Sequence, residues 1–563
     1  MSPTTWRGDY DRFMAAQLET RSVAGAASGR QGAVTVAYNG LAARAGLVAM
    51  KQGGNAIDAL MTAAVTQVAL TAGAPISYFG IMSLVYYEAA TGTVHTMNAE
   101  WNTVRAETEP LSIPGGIDMS DPDGIQGKDP SGRTALVGGF MKGVGAAHAR
   151  FGKLAFDQIF APAIHVAEEG MEISDKMAGY WQMRHDDLAR LGETRETMLK
   201  PDGSGYVAGD IFRQPALAAT LRAVVDRGVD YMYTGPWAER AIAAIQADGG
   251  RMTMEDLRAY DVLWSEPLVG DLGDGWEIHT NPKPNNGGVS LIEAQHLARV
   301  SGMLDDGHWT ESAAALRKAL DITQLYVVDF IPATMASAVY PGVGFSAAER
   351  IERANAAKLW AHVANGKRIG QWDEPPPHHS DDVVAIDSEG NIAAITQSIN
   401  CVIWGKTALV VDGITIGDPA SFQQLQIQHA GPGQRLESPT ETGVVFKDGE
   451  PVLGFASMGS GLHQRTFQGL LNFIHYGMTV DEAIDTPDFF MPTTDPKTLR
   501  AKAVVPRGRF PKAVLEGIGY GFEETSDDRF AGEGLWVAIS RDPKTGELRA
   551  ASHNRNNSAA VAW

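Results

Sequence analysis

A mixed α/β (α+β) chain is predicted by three features. Short runs with apolar alternation are bounded by turn residues, apolar stretches of helical length are closed by glycine or opened by asparagine, and the two kinds interleave along the sequence. Ala33 to Tyr38 reads as a first strand. Gly40 to Gln52 reads as a helix that Gly53-Gly54 ends, because a left-handed C-terminal position suits glycine. Asn55 then caps a second helix, Ala56 to Thr71, with Asp58 in the first turn where the helix dipole favours an acid. Ile81 to Tyr87 and Thr93 to Met97 form a hairpin around Ala90-Thr91-Gly92.

The middle of the chain supplies amphipathic helices, an N-cap at Thr253 followed by Glu255 and Asp256, and a Pro/Gly loop from Asn281 to Gly288 that enters an apolar helix. Val383 to Ile386 and Ile392 to Ser398 make a second hairpin through Ser388-Glu389-Gly390-Asn391. A glycine-rich turn at Gly459-Ser460-Gly461 precedes a helix from Gln464 to Tyr476.

Composition narrows the classes. With 563 residues, 44% of them hydrophobic, the chain can bury a large core, and by length alone it holds roughly two to four domains. Its 47 basic and 67 acidic residues give a formal charge of -20, which argues against a nucleic-acid or anionic-membrane surface. The one cysteine, Cys401, excludes an intramolecular disulfide framework and a multi-cysteine metal site. The segment Met1 to Tyr10 has no apolar run of signal-peptide length, so a cytoplasmic or already trimmed chain is expected. The apolar run Ala56 to Gly73 carries Asp58, Thr62, Thr66 and Thr71 and reads as a buried helix, since a membrane span needs about 20 predominantly apolar residues.

The chain is organised around Pro375-Pro376-Pro377-His378-His379-Ser380-Asp381-Asp382, a polar lead-in that runs into the alternating strand. Between Ala347 and Asp387 there is no Thr and no Cys, and Ser380 is the only Ser, so a side-chain oxygen or sulfur nucleophile supplied there is Ser380. The plainer reading is a strand-entry residue after a proline run. His378 and His379 point to opposite sides of an extended segment, and no further His/Cys spacing supports a metal. No cofactor is expected.

Ser380-Asp381-Asp382-Val383-Val384-Ala385-Ile386-Asp387 resembles the Thr-Thr-His-aromatic-Ser-Val-Val-Asp strand of the gamma-glutamyltranspeptidase family of N-terminal-nucleophile hydrolases, with Ser in the Thr position. Similar in order and spacing are Lys51 to Ala59, Phe151-Gly152-Lys153-Leu154, Phe160 to Ile164, Gly249 to Thr253, Asn281 to Gly288 and Gly477 to Pro487. The resemblance spans residues 33 to 563 and implies a four-layer αββα sandwich. It would be one intertwined unit made from segments 1–379 and 380–563, with cleavage between His379 and Ser380. The freed α-amino group of Ser380, with an ordinary pKa of roughly 7.7 to 8.0, then serves as general base.

The same resemblance assigns roles by position. Asn400, twenty residues after Ser380, orients nucleophile and substrate, Ser398 hydrogen-bonds the nucleophile, and Gly459 and Ser460 supply the oxyanion donors. The substrate positions depart from the family. Glu100 stands where the family has the Arg that holds the glutamyl α-carboxylate, with Arg105 nearby in sequence. Ser438 and Pro439 replace a Ser-Ser pair, and the acid that takes the α-amino group would fall near Ser421-Phe422, with Asp418 close but out of frame.

Three functions stay open on this reading. The first is a self-processing amidohydrolase or acyltransferase acting on a small-molecule amide whose acyl part is not a standard γ-glutamyl group. The second is a genuine γ-glutamyl transferase or glutathione hydrolase, and the third is an uncleaved scaffold. Expected partners are the amide substrate and the chain's own fragment in a heterodimer, with room for further oligomerisation, and neither nucleic acid nor membrane.

Overall fold

The computed structural model of the chain describes residues 25–115, 130–369, 380–459, 461–494, 501–526, 534–553 and 558–563. His379 and Ser460 lie outside the described residues, as does the proline-rich lead-in. Two seven-stranded sheets form the centre. In the first, the strands run in the order Ala559–Ala562, Gly32–Val36, Ser380–Asp387, Ile392–Ser398, Ile81–Glu88, Thr93–Ala99, Leu263–Ser265. In the second, they run Gly25–Gly29, Leu548–Ser552, Leu535–Arg541, Glu450–Met458, Glu441–Lys447, Trp276–Thr280, Leu268–Gly273. Each sheet contains strands from both sides of residue 380, so neither segment completes a sheet alone.

Alternation along the strands sorts the layers. Val384, Ile386, Ile392 and Ala394 meet Val444, Ala456, Val537 and Ile539 between the sheets. Val383, Ala385, Ala393 and Ile395 turn outward onto the helix pair Gly40–Lys51 and Ala56–Leu70. Val445, Leu453 and Phe455 of the second sheet pack on the helices Gly287–Val300 and Leu462–Ile474. The result is the four-layer αββα sandwich of the N-terminal-nucleophile hydrolase type that the resemblance implied. Among the described residues no helix is long and apolar enough to cross a membrane.

The expected first helices and both hairpins form within three residues of their expected ends. Asn55 caps Ala56–Leu70 through a reciprocal capping box with Asp58. Two differences matter. Gly25–Gly29 is a strand paired with Leu548–Ser552, although its sequence, GAASG, carries no apolar alternation. The hairpin strand that Ser380 opens, read from sequence only with its partner Ile392–Ser398, is also an interior strand, with Gly32–Val36 on its other side. Local sequence shows a hairpin and hides the strand that arrives from far away.

Asp387 closes this strand and fastens it to the helix layer. Its carboxylate accepts from Ala56 N (2.8 Å), at the start of the helix Ala56–Leu70. It also accepts from Glu389 N (3.0 Å), Asn391 N (3.1 Å) and Asn391 Nδ2 (2.8 Å) in the turn. Removing a buried acceptor leaves its donors unsatisfied. Asp387→Ala is therefore expected to destabilise the chain by about 2–4 kcal/mol in denaturant unfolding, with Asp387→Asn recovering part of the loss; an unchanged midpoint for Asp387→Ala would contradict this role.

Candidate active site

The site candidates converge on one end of the first sheet. Cross-strand register sets Ser380 opposite Ser398 and Ser398 opposite Ile81. Met82 pairs with Ala99, so Glu100 comes level with Ile81 one residue beyond the ladder. Even-numbered residues of the Ser380 strand face the second sheet, and so do Ser398, Ser83 and Asn98 on their own strands. Ser380, Ser398 and Glu100 therefore stand in one row, on the face between the sheets.

At the first end of the row, the Ser380 hydroxyl donates to Ser398 Oγ at 3.0 Å, and Ser398 Oγ accepts the backbone N–H of Asn400 at 2.7 Å. Asn400 holds a φ of 46°, in the left-handed region where Asn is tolerated better than most side chains. That turn aims its N–H back at Ser398. Ile399 N donates to Pro75 O at 3.2 Å and keeps the turn in place. Ser380 is 8% exposed.

Directly behind Ser380 lie two carboxyl groups that sequence would place in solvent. Asp382 shares the face of Ser380 and meets Thr396 Oγ1 at 2.7 Å, and Thr396 in turn lies 3.2 Å from Ser457 O of the second sheet. Burial pushes the Asp382 carboxyl well above the usual carboxylate range. A single hydroxyl proton cannot serve two acceptors fully. A protonated Asp382 donates to Thr396 and frees that hydroxyl for Ser457. Asp381 faces the helix layer, where it accepts from Tyr38 N (3.1 Å) and Asp382 N (2.8 Å), and it too is pushed up by burial and by neighbouring Asp382.

Gly459 ends the strand Glu450–Met458 with a φ of +86°, a conformation that strains any side chain, and its carbonyl accepts Leu462 N at 3.2 Å. The turn leads into the helix Leu462–Ile474, whose first turn carries His463. His463 Nδ1 pairs with the buried Glu441 at 2.7 Å, and its ring stacks on Tyr326 with centroids 4.3 Å apart.

Glu100 occupies the other end of the row. It is 1% exposed, and Oε1 accepts from Ser83 Oγ and from Thr440 Oγ1 (3.3 Å), whereas Oε2 has no hydrogen-bond partner among the described residues. Burial pushes its carboxyl up, against the pull of the Ser83 hydroxyl and of the Arg435 guanidinium. Asn285 braces these hydroxyls, donating to Ser83 Oγ (2.9 Å) and Thr440 Oγ1 (2.7 Å) while accepting from Asn98 Nδ2 (2.8 Å). Ser438 lies against Thr440 at 3.4 Å, so it joins the Glu100 group.

Arg435 approaches without pairing with Glu100. Its guanidinium donates to Asn98 O (2.7 Å), Asn102 Oδ1 (2.6 Å) and Asp261 O (2.6 Å). Arg105 is exposed. Asp418 is outside the row as well: its carboxylate accepts Lys406 N at 2.6 Å, beside the buried thiol of Cys401, and burial pushes both groups up. Ser83, Asn285, Thr440 and Arg435 carried no assigned role in the sequence. The Asn-Pro-Lys-Pro-Asn-Asn-Gly-Gly run was the one available signal, and it reads locally as a plain loop.

The buried Asp382 gives a pH signature. A carboxyl whose folded pKa is raised binds protons more tightly when folded, so stability is higher at low pH and falls as pH rises from the unfolded value through the folded one. Asp382→Asn, which keeps a donor toward Thr396 and cannot ionise, is expected to melt above the wild type at pH 8, with the gap closing toward pH 4. A constant gap across that range would contradict it.

Known proteins give this geometry its context. The family model for gamma-glutamyltranspeptidase matches residues 42–563. Over 567 residues the chain is 25% identical to the glutathione hydrolase proenzyme of Bacillus subtilis (strain 168), covering 95% of this chain and 92% of that protein. It is 27% identical over 568 residues to the acylase ACY 1 proenzyme of Pseudomonas sp. (strain SE83), covering 95% and 94%. The crystal structure of cephalosporin acylase from Bacillus halodurans superposes with a TM-score of 0.78 at 21% identity, over 97% of each chain, which speaks for the fold. The chain belongs to the gamma-glutamyltranspeptidase family and is an enzyme of its hydrolase and acyltransferase kind, acting on amides.

Proposed function

We propose that the chain is a self-processing amidohydrolase or acyltransferase with Ser380 as nucleophile and an acyl group other than γ-glutamyl. The observation that carries the first part is the hydroxyl relay Ser380 to Ser398 to Asn400 N–H, which holds one oxygen at the head of a doubly paired strand. In self-cleavage, Ser380 Oγ adds to the carbonyl carbon of His379, the C–N bond breaks with its proton going to nitrogen, and water hydrolyses the resulting ester. The pieces are 379 and 184 residues long, and interleaved strands keep them together as a heterodimer.

The freed α-amino group then takes the proton from Ser380 Oγ as that oxygen attacks the substrate amide, and returns it to the departing amine. Backbone N–H groups at Gly459 and Ser460 hold the oxyanion, each donor being worth roughly 3 kcal/mol. Water or an amine releases the acyl group. Ser398 and Asn400 position the nucleophile, and Asp418 supports the loop behind them through Lys406 N.

Glu100 supports the second part. A buried carboxylate against the α-carboxylate of a glutamyl group sets like charges together, which costs several kcal/mol, and Pro439 offers no hydroxyl. The γ-glutamyl transferase reading needs a guanidinium here, and Arg435 is already committed to Asn98, Asn102 and Asp261.

Intact mass and denaturing electrophoresis test the first part. Wild type is expected as two fragments and Ser380→Ala as one chain, and an undivided yet fully active wild type would end the proposal. Ser398→Ala is expected to lower kcat by about 10- to 100-fold with little change in KM. Efficient turnover of a γ-glutamyl anilide by the wild type would overturn the second part.

A further inference from the structure

We infer that the acyl group ends in a protonated primary amine that the Glu100 carboxylate receives. The inference rests on the reading of Ser380 as nucleophile and of the Glu100 end of the row as the acyl subsite.

The first argument is the unsatisfied oxygen. Glu100 Oε2 is buried and without a partner, while Oε1 has two hydroxyl donors. Buried polar atoms are nearly all paired in folded proteins, so a partnerless carboxylate oxygen in the row of Ser380 is a place where a ligand donor would be received. Among the described residues Arg435 is the guanidinium beside it, and that group is committed elsewhere.

The second argument is the match of donors and acceptors. An alkylammonium carries three N–H donors and no acceptor. Beside Glu100 stand Oε2 and the Ser438 hydroxyl, which gives its own proton to Thr440 and keeps its oxygen able to accept. Asn285 donates to Ser83 Oγ and Thr440 Oγ1, which turns both hydroxyl protons toward Glu100 Oε1 and leaves Oε2 as the open acceptor. A ligand carboxylate would meet a carboxyl group and oxygen lone pairs instead.

The third argument is span. Three strand spacings of about 4.8 Å separate the backbones of Ser380 and Glu100, and both side chains reach inward from them onto one face. A linear acyl chain of about four or five carbons fits between a carbonyl at Ser380 and an ammonium at Glu100. A charge-assisted bond in so water-poor a place is stronger than the same bond in solvent, so the amine adds selectivity as well as affinity.

Binding to the wild-type protein tests this directly by calorimetry, with δ-aminovaleramide, valeramide and glutaramate as probes. δ-Aminovaleramide is expected to bind at least about tenfold tighter than valeramide, with the advantage lost in Glu100→Gln. Equal binding of the two, or tighter glutaramate, overturns the inference, and this comparison needs no variant to fold. The matching p-nitroanilides separate it from the reading beneath it. Cleavage that survives in Ser380→Ala removes that reading, whereas Ser380-dependent cleavage with no preference for δ-aminovaleryl over valeryl overturns this inference alone.

Discussion

The structure depends on one strand being held on all sides. Ser380–Asp387 pairs with Gly32–Val36 on one edge and Ile392–Ser398 on the other, and every residue in it is buried. Its outward face docks the helix Ala56–Leu70 and its inward face forms the seam with the second sheet. Asp387 anchors one end to that helix, and near the other end Asp382 meets Thr396 of the next strand, which reaches across to Ser457. A hydroxyl at the head of such a strand has little freedom left, which is what a nucleophile needs if its geometry is to be fixed before substrate arrives. The same pairing would hold a new chain terminus in place after a cut ahead of Ser380.

How much of this was legible follows from the range of each signal. The helix Ala56–Leu70, its Asn55 cap and both hairpins depend on neighbours within a few residues, and the sequence displays them. The strand Gly25–Gly29 was hidden because GAASG has no large apolar side chain to mark a face, and its partner lies more than five hundred residues away. The burial of Asp381 and Asp382 was equally hidden, because it rests on hydrogen bonds with Tyr38 and Thr396 that no local pattern announces.

The site divides along the same line. Ser398 and Asn400 stand at fixed offsets from Ser380 on the next strand and its turn, so spacing alone aligned them with the family. The Glu100 end is assembled from residues 83, 98–100, 285 and 438–440, contributed by four separate stretches of chain. Asn285 was visible only as part of a proline and glycine loop. Its work, bracing two hydroxyls against Glu100, exists only once the sheets are packed.

This division carries a physical lesson about divergence in the fold. On the proposed reading the groups near Ser380 act largely through backbone, as in the Asn400 N–H and the left-handed turn at Gly459, and backbone positions are set by strand pairing that the whole sandwich enforces. Side chains at the far end of the row answer to no such constraint. Exchanging a guanidinium for the Glu100 carboxylate changes the sign of the charge there while leaving every strand in register, because the hydroxyls of Ser83 and Thr440 and the amide of Asn285 can solvate either sign by rotating a proton or reversing a donor. On the proposed reading, neutral polar walls of this kind let one scaffold change the acyl group it accepts without disturbing the atom that attacks it.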